Sequence, residues 1–107
     1  MAQYEVITTA QALNQLYRIV NYIQGQGSNQ NASIVYNGLI EAIESLKTMP
    51  NRNPVYRTVK KKQYEYRYQP KWSFNIIYRI EEAPPKVYIV TIAGAAQSRA
   101  GIESLLG

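Results

Sequence analysis

The chain has 107 residues, enough for one domain (1–107) around one core, and it carries a net charge of +5. It contains no cysteine, no histidine and no aspartate. These absences exclude disulfides, thiolate metal sites, cysteine nucleophiles, Ser-His-Asp triads and zinc sites of the usual type. Neither a metal nor another cofactor is expected, and any chemistry must run on Arg, Lys, Tyr, Glu and backbone groups. No apolar run approaches the length of a membrane span, and no basic head followed by an apolar stretch marks a secretory signal. A cytoplasmic chain without membrane contact is therefore expected.

The opening residues alternate, with Tyr4, Val6 and Thr8 against Glu5 and Ile7, which predicts a short first strand. Thr8 or Thr9 can cap a following helix, and Thr8 with Gln11 fits a capping box. Ala10, Leu13, Leu16, Tyr17, Val20 and Ile23 recur in steps of three and four, the stripe of an amphipathic helix. Gly25 to Ser28 end it. A second helix over 29–48 carries its stripe on Ala32, Val35, Tyr36, Leu39, Ala42, Ile43 and Leu46, with Pro50 and Pro54 beyond its end. The short connector makes the two helices an antiparallel hairpin.

Residues 51–63 form a polar, basic connector in which a short strand over Tyr56–Val59 fits. Strands follow near 64–69, 72–81 and 86–93. In the second of these, Trp72, Phe74, Ile76, Tyr78 and Ile80 occupy every even position, and the odd positions are polar except Ile77. That is the pattern of a strand with one face in a core. Helices and strands cluster separately along the chain, which predicts an α+β fold. Its N-terminal strand and two-helix hairpin pack on a mainly antiparallel sheet of about four strands. The Trp72-to-Ile80 row meets the helices, with Trp72 as a core anchor at the strand start. Ile102, Leu105 and Leu106 near the C-terminus have helical spacing and suit a short docking helix or a frayed end.

Charge is concentrated. Between Arg52 and Arg79 stand Arg52, Arg57, Lys60, Lys61, Lys62, Arg67, Lys71 and Arg79 against Glu65 alone, a net of +7. An anionic partner suits such a segment, whether RNA, DNA or an acidic protein. A solvated basic loop accounts equally well for Lys60–Lys62. Arg67 alternates with Glu65 and Gln69 on one side of its strand, opposite Tyr64, Tyr66 and Tyr68. If the tyrosines face the helices, Arg67 points to the open face, where a phosphate or an acidic peptide can sit. Its alternative role is an ion pair with Glu65 or a neighbour. Arg79, in the polar row with Ser73 and Asn75, either flanks Arg67 or is an ordinary surface arginine. Of the tyrosines, Tyr17, Tyr36 and Tyr78 fall on apolar stripes and are expected in the core or at an interface. Tyr56, Tyr64, Tyr68 and Tyr88 are left for the surface, and Glu41 and Glu44 read as solvent charges.

The ordered set of Tyr4-Glu5-Val6, Leu16/Ile19/Tyr22-Ile23, Ala42-Ile43-x-x-Leu46-x-x-x-Pro50, Tyr66-Arg67, Ile76-Ile77-Tyr78-Arg79-Ile80 and the Val87-to-Ile92 strand resembles the RelE/ParE superfamily of bacterial type II toxin–antitoxin modules. The glycine-joined helical hairpin looks nearer to ParE. The resemblance implies a small α+β toxin, neutralised by a cognate antitoxin whose C-terminal segment wraps it. ParE-like members poison DNA gyrase. RelE-like members cut mRNA in the ribosomal A site, which would make the protein an endoribonuclease with Arg67, Lys60, Lys61 and Lys62 as its catalytic candidates. RelE-like chains often carry a cation just after the last strand. Here that region reads Ala93-Gly94-Ala95-Ala96, and the next cation is Arg99. A binder is therefore expected, with Arg67, Arg79, Arg57, Lys71 and Arg99 as candidate target- or antitoxin-binding residues. An inactive scaffold that binds its antitoxin or forms a homodimer is the further alternative.

Overall fold

The computed structural model describes residues 3–58 and 65–94. Strand β1 (Glu5–Thr8) leads into helices α1 (Ala10–Gly25) and α2 (Asn29–Glu44), and two 3-10 turns follow at Ser45–Lys47 and Pro50–Arg52. Strands β2 (Val55–Thr58), β3 (Glu65–Lys71), β4 (Phe74–Glu82) and β5 (Pro85–Gly94) complete the order. The sheet runs β1-β5-β4-β3-β2. All pairings are antiparallel except that of β1 with β5, which is parallel. The α+β architecture is as expected, with five strands where about four were predicted. The fifth is the short β2 in the basic connector. Among the described residues no helix is long and apolar enough to cross a membrane.

Each helix starts where a hydroxyl can satisfy its first amides. Thr9 rather than Thr8 caps α1: its Oγ1 accepts from the Ala12 amide at 3.2 Å and donates to the Ile89 carbonyl at 2.7 Å. Ser28 caps α2 by accepting from the Asn31 amide. Between the helices Gly27 takes φ +91, a value open to glycine at little cost.

One core lies between the helices and the sheet. Ala12, Leu16, Leu39, Ala42, Ile43 and Leu46 meet Ile76, Tyr78, Val87, Ile89 and Ile92, with Val6, Ile19, Val20, Phe74 and Ile80 packed around them. Both Ile89 and Ile92 reach this core although three residues separate them. An irregularity of register between Ile77/Tyr78 and β5 leaves Val90 without an opposite residue, and such a bulge resets the two-residue phase. On the opposite sheet face Tyr66, Ile77 and Ala93 form a second, smaller buried cluster with Tyr56, Tyr68 and Val90 against it. Ile77, the one apolar break in the odd row of β4, belongs there.

Tyr17 and Tyr36, expected in the core or at an interface, are exposed; the inward stripe of α1 is centred on Ala12 and Leu16, and tyrosine's polar tip lets it sit at the stripe's edge. Two expectations are corrected. Trp72 is not a core anchor. It opens a two-residue turn between Lys71 and Phe74, takes φ +53 and is 55% exposed. Tyr68 and Tyr56 are partly buried, with their rings edge to face at 5.8 Å. Tyr64 and the C-terminal stripe of Ile102, Leu105 and Leu106 lie outside the described residues.

Candidate functional site

Register fixes which candidate cations share a face. Arg67 is paired with Tyr78, Gln69 with Ile76 and Lys71 with Phe74, whereas Tyr66 is paired with Arg79 and Tyr68 with Ile77. Directly opposed residues project to the same side of a sheet. Tyr78, Ile76 and Phe74 belong to the helix-side core, so Arg67, Gln69 and Lys71 are on the helix side. Tyr66, Tyr68 and Arg79 are on the other. The tyrosines of β3 thus face away from the helices. Arg67 does not point to the open face, and Arg79 does not flank it. Arg57 stands opposite Tyr66 at the edge strand. Lys60, Lys61, Lys62 and Arg99 lie outside the described residues.

Arg67 and Tyr78 hold down the turn that carries the chain from the helices to β2. Arg67 donates from Nη1 to the Asn53 carbonyl at 2.6 Å and from Nη2 to Glu65 Oε1 at 3.0 Å. The buried Tyr78 hydroxyl donates to the Pro50 carbonyl at 2.6 Å. Asn53 Nδ2 donates to that hydroxyl at 3.0 Å and to Gln69 Oε1 at 2.8 Å. With Pro50 as its one buried apolar side chain, the Pro50–Arg52 turn gains from such bonds, because its carbonyls lose water there. Arg67 therefore realises the ion pair with Glu65, a neighbour on its own strand.

Among the described residues, the tyrosines whose ionisation is perturbed are shifted upward. Burial raises Tyr78 above its ordinary value, opposed by the bond from Asn53 and by the charges of Arg67 and Arg52. A hydrogen bond with Glu82 raises Tyr4, and one with Glu81 raises Tyr88. Each keeps its proton in the neutral range, which suits holding a contact rather than taking a proton. On the far face Arg79 lies over the Tyr88 ring at 4.2 Å and pairs with Glu81 at 3.5 Å.

A feature missed in the sequence joins the β3–β4 turn to α2. Gly38 is buried in mid-helix, and a Cβ built on it would lie 2.2 Å from Trp72 Cη2. The end of the indole therefore rests on bare helix backbone. Lys71 Nζ stands 4.6 Å from the ring centroid, within cation–π range. Ile34, one turn before Gly38 and so on the same flank of α2, is 52% exposed. The lone glycine inside a helical pattern was the available signal, since such a glycine commonly has a packing reason. Its partner, more than thirty residues on, had none.

A family model described as the ParE toxin of the type II toxin–antitoxin system, parDE, matches residues 6–99. Among solved structures, a chain titled chromosomal ParDE TA system from P. aeruginosa is similar in fold. Its TM-score is 0.68 at 15% identity, over 88% of this chain and 98% of that one. No curated protein sequence matches.

Proposed function

The chain belongs to the ParE toxin family of type II toxin–antitoxin systems, and from that premise we propose that it acts by binding a cellular protein, with DNA gyrase the expected target, and is neutralised by a cognate antitoxin. The observation that supports a binder is the disposition of the described cations. Arg67 has its guanidinium engaged by Asn53 and Glu65, and Arg79 lies on the opposite sheet face. Phosphoryl chemistry on RNA needs charge and proton-transfer groups converging on one phosphate. A binder needs exposed apolar anchors with charge at their rim, and Trp72, Ile34 and Lys71 supply that combination. The antitoxin segment is proposed to be apolar and acidic and to order as it docks.

Induced expression with separate readouts of DNA supercoiling and of translation tests the target. Supercoiling is expected to fail while translation continues. Discrete cuts in the ribosomal A site, mapped by primer extension, would overturn the binder in favour of an endoribonuclease. Co-expression with the product of the adjacent reading frame tests the antitoxin, which is expected to co-purify.

A further inference from the structure

Two features of Trp72 oppose folding on their own. A left-handed φ of +53 is costly for a bulky residue, and a large aromatic side chain left 55% exposed forgoes burial. Its ring is nonetheless held in place. Gly38 allows the indole to lie on the α2 backbone, and Lys71 stands over it. A half-exposed tryptophan seated on Gly38, with an exposed isoleucine one helical turn from that seat, has the character of an interface anchor, since aromatic residues fixed before binding lose little entropy on docking.

We propose that Trp72, Ile34 and the flank of α2 around Gly38 seat an apolar, acidic segment of the antitoxin. This rests on the antitoxin reading above and assigns that partner a surface. Charge selects the occupant. Lys71 borders the ring, and further along the same face of β3 Arg67 is paired with Glu65, which leaves Lys71 as the cation beside the ring. Glu41, exposed on α2 one turn past Gly38, repels acid from the helix end of the seat. The segment's carboxylates therefore fall on the Lys71 side and its apolar residues on Ile34 and the ring.

The chain has a single tryptophan, so its fluorescence reports on this seat alone. The probe is the product of the adjacent reading frame, with any tryptophan of its own changed to phenylalanine. In the complex, Trp72 emission is expected to shift to the blue and acrylamide quenching to fall. Trp72→Gly removes the ring and relieves the left-handed strain, so the fold is kept, as circular dichroism will show. It is expected to weaken binding by about thirtyfold. Lys71→Glu is expected to weaken it by about tenfold and to flatten its salt dependence. A complex in which quenching is unchanged, and which Trp72→Gly forms with unaltered affinity, overturns the assignment and leaves the antitoxin reading standing. Failure of any complex to form overturns both. Trp72 protection that rises with the concentration of the free chain seats a second copy there and also overturns it.

Discussion

At the scale of single residues, two side chains carry more than their composition suggests. Gly38 trades helix propensity for contact with an indole. Gly38→Ala is expected to cost about 1–3 kcal/mol, because the new methyl displaces the ring. With Trp72→Gly already present, the same substitution is expected to gain up to about 1 kcal/mol, the ordinary preference for alanine in a helix. Denaturant midpoints around this four-member cycle check the reversal of sign. Tyr78 is the other. Tyr78→Phe is expected to cost about 1–3 kcal/mol, since the Pro50 carbonyl loses its donor and Asn53 one acceptor. The hydroxyl also ties stability to pH. Its folded pKa is raised above the ordinary 10.0 by burial, so its contribution is fully present below that value and is lost as pH rises through the folded pKa. Urea midpoints measured from neutral pH into the alkaline range are expected to fall more steeply for the native chain than for Tyr78→Phe.

At the scale of elements, Arg67 links β3 to the turn before β2. Losing a charged bond to a partly buried carbonyl costs about 1.5–3 kcal/mol, so Arg67→Ala is expected to lower the melting temperature. Any binding defect of that variant has to be read against its stability. The sequence disclosed the elements well, because period two in β4 and steps of three and four in α1 and α2 follow directly from how side chains leave a strand or a helix. It did not disclose which side of β3 was inward. Alternation places Arg67 opposite Tyr66 and Tyr68, yet only the pairing of Arg67 with Tyr78 decides that Arg67 goes with the helices. Trp72 continued the β4 alternation numerically while sitting in the turn before it. Nothing in tryptophan's chemistry marks a two-residue turn, and the place its ring takes there is left open by Gly38 on another element. Tyr17 is a different matter: counted as apolar it extends the α1 stripe, which leaves core and interface both open, because its hydroxyl is equally content in water.

At the scale of the whole molecule, the sheet is used on both sides. The helical hairpin covers one face, and Tyr66, Ile77 and Ala93 are buried on the other, so three consecutive residues of β4, Ile76 to Tyr78, are all buried. Strand β1 has β5 as its described neighbour and lies at the sheet edge. Helix α1 is likewise tied at its start to β5 through Thr9 and Ile89. Strand β1 thus waits for the last described strand before it has a sheet to join, although α1 can already pack on α2, and contacts so distant in sequence form late. A fragment left by interrupted translation lacks the strand that receives β1 and anchors α1. The five-stranded sheet is therefore closed at its β1 edge only after β5 has been made, and until then that edge of the growing chain has no partner on which to rest.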